Sequence, residues 1–188
     1  IWRIFSVTSI LTNNKMSLKL IGVLVLVLLQ LGLIEAHCRR YYTEFEGKCY
    51  RYYGNPVKNW EDAEASCVRR RGHLASIHNT EEEEFLQELW RSTRDFYTNV
   101  DVLSYFVAPI SRAPFVYIGL NDRDLQNVYK WTDGTPFDFS DWMPIDPRPI
   151  DREREDGVFM WDRRGNKGRW NDVNSRSVNM LGPYICQL

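Results

Sequence analysis

The stretch FVYIGLNDRDLQNVYKWTDGTPFDFSDW, residues 115–142, carries the reading on which the fold turns. Its first six residues form a short continuous apolar run of the length of a buried strand. Beyond that run the chain is rich in turn formers and tryptophan, with Asp133-Gly134 marking a reversal between short strands. The same character returns in GVFMWDRRGNKGRWNDVN, residues 157–174, where Arg164-Gly165 marks a second turn, and in the closing GPYICQL, residues 182–188. The last third therefore reads as short antiparallel strands.

Upstream the text changes to helices. Asn59 can cap a helix in which Trp60, Ala63 and Cys67 recur at i, i+3 and i+7 and turn inward. Glu61, Asp62 and Glu64 lie early and Arg69 to Arg71 late, the order that complements a helix dipole, and Gly72 ends the helix. HLASI, residues 73–77, predicts a short strand. TEEEEFLQELW, residues 80–90, opens a second helix with a Thr80/Glu83 capping box, a solvated acidic first turn over Glu81 to Glu84, and Phe85, Leu86, Leu89 and Trp90 in the core. Residues 91–114 show no clean period and read as a tucked-in insertion with an apolar centre at 102–110. Before the first helix, YYTEFEGKCYRYY, residues 41–53, alternates about a turn at Glu46-Gly47 and predicts a hairpin. Two helices followed by antiparallel strands make an α+β domain.

The N-terminus has another composition. Leu20 to Ile34 is apolar apart from Gln30, follows Lys19 and ends near Ala36, which reads as a secretory signal peptide over residues 16–36. The competing reading is a signal-anchor helix with residues 1–15 in the cytoplasm, which fifteen apolar residues disfavour against the ~20 that span a bilayer; no stable membrane span is expected after signal removal. Residues 1–15 are a leader or the edge of a fragment, and a single domain occupies 38–188. Without residues 1–36 the chain loses Arg3, Lys15, Lys19 and Glu35, leaving 21 basic against 24 acidic side chains. That balance gives no bulk attraction for nucleic acid. Cys38, Cys49, Cys67 and Cys186 remain, an even number that predicts two disulfides in an oxidising compartment and allows three pairings. A Cys38-Cys49 bridge would staple the hairpin. Metal ligation by thiolates is disfavoured, since no CxxC pair occurs. The chain also lacks GxSxG, HExxH and phosphate-cradling glycine loops, and among its histidines, His37, His73 and His78, His73 precedes a core strand. A binding module is expected rather than an enzyme.

CVRRRGHLASI, YIGLND, WTDGTPFDFSDW, GRWND and the closing YICQL, in this order, together resemble the C-type lectin-like domain family. The resemblance spans about residues 38 to 188. It implies two helices flanking antiparallel sheets, neighbouring chain ends and a long loop region that carries ligand binding. It also implies the pairings Cys67-Cys186 and Cys38-Cys49, the latter being the hairpin bridge of longer members. Gly119 fits a strand that another backbone approaches closely, and Trp131, Trp142 and Trp170 fit packing anchors. The family's second core disulfide has no counterpart, because Gly157 and Ser175 stand at its positions.

In sugar-binding members of that family, a loop acid or amide, a proline, a second amide or acid, a later glutamate and the Asn-Asp after tryptophan hold calcium and the sugar together. Calcium takes six to eight oxygens at roughly 2.3 to 2.6 Å. Carried over, Asp146, Pro147, Glu155, Asn171 and Asp172 match, and the resemblance implies Ca2+ on Asp146, Glu155, Asn171 and Asp172. Arg148 falls where an oxygen donor belongs. A guanidinium has five donors and no acceptor, so turned inward it repels the ion or replaces it as an internal cation bridging Asp146 and Glu155, and turned outward it leaves Asp146, Glu155, Asn171 and Asp172 to form a weaker site completed by water. A weaker auxiliary site is conceivable at Asp122, Gln126, Glu155 and Asp156. The expectation is a secreted, extracellular carbohydrate-recognition module using Asp146, Arg148, Glu155, Asn171 and Asp172, with glycans or glycoproteins as partners. The alternative is a lectin-like domain binding protein or mineral without calcium or sugar. A third reading is sulfated polysaccharide on Arg148, Arg152, Arg154, Arg163, Arg164, Lys167 and Arg169. Sugar specificity and oligomeric state are not legible in these motifs.

Overall fold

The computed structural model describes residues 20–23, 25, 27, 38–98, 114–144, 146–147, 154–162 and 168–188, the side chains of 94–98 excepted. The chain divides into two compact units, Ile1–His37 and Cys38–Leu188. In the first, residues 20–23, 25 and 27 are helical. Among the described residues no helix is long and apolar enough to cross a membrane. The predicted signal peptide falls mostly outside the described residues, as does the apolar centre at 102–110.

The second unit is built from a hairpin, two helices and a twisted sheet. Strands β1 (Thr43–Phe45) and β2 (Lys48–Lys58) meet at Glu46 and Gly47, with φ of 48° and 78°. Two successive left-handed residues make the hairpin turn whose twist matches its strands. Helix α1 (Trp60–Val68), strand β3 (His73–Leu74) and helix α2 (Thr80–Thr98) follow. Then come β4 (Phe115–Asn121), β5 (Lys130–Trp131), β6 (Gly157–Trp161), β7 (Trp170–Val173) and β8 (Gly182–Gln187). The sheet runs β1-β2-β8-β4-β6-β7, with β3 on β8 and β5 on β4. Because β2 pairs with β8, the two ends of the unit lie together, and Cys49 and Leu188 exchange backbone hydrogen bonds.

Strand β4 is buried along its whole length and explains the two-sided core. Val116, Ile118 and Leu120 face one cluster with Trp90, Trp131 and Trp170. Phe115 and Tyr117 face the other with Trp60, Phe159 and Tyr184. Alternation along one strand thus feeds both layers. Gly119 is required by approach, since a Cβ there would stand 2.6 Å from the Leu74 carbonyl oxygen. Both disulfides form, Cys38–Cys49 across the hairpin and Cys67–Cys186 between α1 and β8.

The helices depart from the sequence reading in several places. Asn59 caps α1 as expected, its side chain accepting from the Asp62 N–H at 2.8 Å. The helix ends at Val68, however, and Arg69 to Arg71 lie beyond it, with Arg71 rather than Gly72 in the left-handed conformation at φ 68°. Gly72 is needed for another reason: a Cβ there would meet the Gln187 carbonyl oxygen at 2.1 Å. Helix α2 is capped by Asn79, which accepts from the Glu82 N–H at 2.7 Å, so the cap lies one residue before the predicted Thr80/Glu83 box. Only His73 and Leu74 of HLASI pair as strand. Helix α2 runs to Thr98, beyond residue 90, and Arg91, Ser92 and Thr93 each bond back one turn, to Gln87, Glu88 and Leu89.

The largest correction concerns the acidic first turn of α2. Glu82 and Glu83 are buried, at 2% and 4% exposure. Glu82 binds Lys48 at 2.7 Å across the hairpin. Glu83 accepts the Trp170 indole N–H at 2.8 Å and so ties α2 to β7. Burial pushes the Glu83 carboxyl up to about 7. A like-signed run looks solvated in sequence, but here two of its members meet partners 34 and 87 residues away.

Candidate functional site

The sequence assigns ligand binding to the loop before β6 and to β7, and the backbone brings these two segments together. Trp142 bridges Trp170. The Trp170 N–H donates to the Asp141 carbonyl at 2.8 Å, the Met143 N–H to the Trp170 carbonyl at 3.0 Å, and the Asp146 N–H to the Met143 carbonyl at 3.0 Å. Arg169 pairs with Asp141. The turn ending in the cis Asp146–Pro147 peptide is therefore stitched to the strand that carries Asn171 and Asp172. Around it Trp142 packs edge-on against Trp170 and Tyr129, at centroid distances of 5.9 and 4.9 Å. These tryptophans are packing anchors, as the resemblance implied.

Each proposed ligand has a definite place. Asn171 is half-buried in register with Phe159, and Asp172 is buried in register with Val158. The Tyr129 hydroxyl donates to Asp172 at 3.0 Å. Asp146 and Glu155 are half-buried. Arg148 lies outside the described residues, as do Arg152, Arg163, Arg164 and Lys167 of the sulfate reading. Among the described residues no three His, Cys, Asp or Glu side chains gather as a group able to hold a metal ion. Asp172 is engaged by a phenol. Calcium needs six to eight oxygens around one point. The arginine at 148 offers donors and no oxygen toward it.

The auxiliary set is likewise used internally. Asp122 accepts from the Asn127 N–H at 2.7 Å and the Gln126 amide at 3.2 Å, closing the turn after β4. Asp156 accepts from the Ser175 N–H at 2.8 Å, and Arg154 stands 3.7 Å from Asp156. The place of the missing second disulfide is filled by aromatic packing. A Cβ on Gly157 would meet Trp60 at 2.6 Å, and the Trp60 indole donates to the Ile118 carbonyl at 2.8 Å. Ser175 is fixed from both sides, because its carbonyl also accepts from the Glu61 N–H at 3.0 Å.

With this geometry in view, the family follows from the comparisons. The model of the lectin C-type domain matches residues 57–188, and the chain belongs to that family. Its relatives include the C-type mannose receptor 2 of Homo sapiens, 31% identical over 154 residues. That match covers 82% of this chain and only 9% of the receptor. The alpha-N-acetylgalactosamine-specific lectin of Patiria pectinifera is 30% identical over 151 residues, covering 78% of this chain and 77% of that lectin. Among solved structures, the cow carbohydrate-recognition domain of CD23, determined in the presence of a GlcNAc2Man3 oligosaccharide, superposes with a TM-score of 0.60. It is 29% identical, and the match covers 81% of this chain and 95% of that one.

Proposed function

We propose that the domain is an extracellular carbohydrate-recognition module that grips sugar hydroxyls directly, without a calcium ion between. The observation that carries this reading is the run of backbone hydrogen bonds that joins the Asp146–Pro147 turn to Trp170 beside Asn171. Asp146, Glu155, Asn171 and Asp172 supply acceptors and one amide donor pair, while Arg148 adds the fixed cation and its fork of donors. Such planar polar groups, set beside packed aromatic rings, suit the adjacent hydroxyls of a saccharide. Tyr129 holds Asp172 in place. The two disulfides, and relatives whose names speak of mannose and of N-acetylgalactosamine, support an extracellular binding role. The test is a glycan array run with calcium and with chelator. Glycans bound equally under both conditions, and lost in Asn171→Ala, are the expected result. Binding only with calcium, or to no glycan at all, contradicts it.

A further inference from the structure

Away from that edge, the hairpin and the end of α1 bring together four arginines that are far apart in sequence: Arg39, Arg40, Arg51 and Arg70. They are arranged as a ladder. The guanidiniums of Arg40 and Arg51 both lie over the Tyr41 ring, at 4.8 and 5.2 Å. The Tyr53 ring, stacked on Tyr184 at 5.1 Å, receives the guanidiniums of Arg51 and Arg70 at 4.9 and 4.7 Å. Arg39 closes the end by donating to the Arg70 carbonyl at 3.4 Å. Among the described residues no carboxylate lies within 4.0 Å of these four guanidiniums, nor of those of Arg69 and Arg71 beside Arg70 in the chain.

This is unusual chemistry for a chain whose acids outnumber its bases. Arg70 is held from the other side, by the Ser66 carbonyl at 2.6 Å and hydroxyl at 2.7 Å. Arginine pairs bidentately with tetrahedral and planar oxyanions, and a ring beneath it pre-orients its fork. Neighbouring cations left without an internal counter-charge favour an external chain of anions. We propose that this ladder is a binding surface for a sulfated polysaccharide, separate from the sugar edge beside β7.

The alternatives fit less well. A long stiff polyanion such as duplex DNA meets the acid-rich remainder of the domain, whereas a short run of sulfates follows the patch alone. Screening confines the patch's field to roughly 8 Å at physiological salt, so the partner must bring its charges into contact. The disulfides also put the domain where sulfate esters on polysaccharides are the abundant polyanion.

The experiment uses the full disulfide-bonded protein on immobilised heparin, with dextran, a duplex DNA and phosphatidylserine vesicles as comparison ligands. Wild type is expected to be retained on heparin in a salt-dependent way and not on dextran. Arg39→Gln/Arg40→Gln is expected to weaken heparin binding about tenfold or more, because each substitution removes a charge-assisted contact to sulfate. Both side chains are exposed, so folding should survive, and Arg51→Gln gives a second reading within the ladder. Arg176→Gln, which removes the same charge from an arginine paired with Glu61, should leave retention unchanged. No retention, equal retention of the ladder variants, equal loss in Arg176→Gln, or tighter binding to DNA or vesicles overturns the proposal. None of these results bears on the sugar edge, which the array tests independently.

Discussion

Two charged regions of this domain are built on opposite rules. Around α1 and β4 the cations are answered from within: Arg123 and Arg176 both hold Glu61, at 2.9 and 2.6 Å, Arg154 approaches Asp156, and Lys130 pairs with Asp124. On the hairpin face Arg40, Arg51 and Arg70 rest on tyrosine rings and meet no carboxylate among the described residues. A self-paired region uses its charge to hold loops in place. An unpaired one keeps its charge available, and that difference assigns one region to architecture and the other to recognition.

The paired region is disturbed most strongly at Trp60, which supports it from below. Its ring fills the space over Gly157, and Arg123 lies 5.8 Å above it. Trp60→Ala is expected to cost about 3 to 5 kcal/mol in denaturant unfolding. Gly157→Ala should also destabilise, because a backbone strand and a buried indole must part to admit the methyl.

Next in size is the buried acid of α2. Glu83 has its folded pKa raised from 4.5 to about 7 by burial, so the native state holds a proton that the unfolded chain releases. Its contribution to stability is complete below about pH 4.5 and is lost as pH rises through about 7. By linkage the change is on the order of 3 kcal/mol. Glu83→Gln keeps an acceptor for the Trp170 indole and removes this slope, so wild type and variant should agree near pH 4 and the variant should be the more stable at pH 8. Parallel pH profiles would contradict the burial argument.

Smaller effects probe the contrast between the two regions. Glu61→Gln strips the shared partner from Arg123 and Arg176 and is expected to cost only ~0 to 1 kcal/mol, as exposed pairs do. It should nevertheless increase heparin retention, because it converts two answered cations into unanswered ones. Smallest of all is Arg39→Gln/Arg40→Gln, whose stability should stay within about 0.5 kcal/mol of wild type while heparin binding falls. Chemical denaturation measured beside heparin chromatography separates the two quantities.

Much of this was legible in the chain. The apolar run of β4, the Asn59 cap, the inward Cys67 and the order of tryptophan motifs suffice for the α+β lectin-like fold, because each depends on neighbours within a few residues. The misread elements depend on distant partners. Glu82 and Glu83 are buried by Lys48 and Trp170, and Arg71 is turned left-handed by the return of the chain onto β8. The arginine ladder was hidden for the same reason: its members come from before β1, from β2 and from the end of α1. At the sugar edge the sequence supplied Asp146, Asn171 and Asp172, but not that Tyr129 already binds Asp172. Tyr129 was the missed residue, and no local pattern marks it.

Sugar recognition without calcium at the edge beside β7 is what we propose, and calorimetric titration of calcium chloride into the native chain and Arg148→Asn examines it. No saturable heat is expected from the native chain under conditions where glycan binding is retained. Saturable calcium binding that tightens in Arg148→Asn and is accompanied by calcium-dependent glycan capture would contradict it.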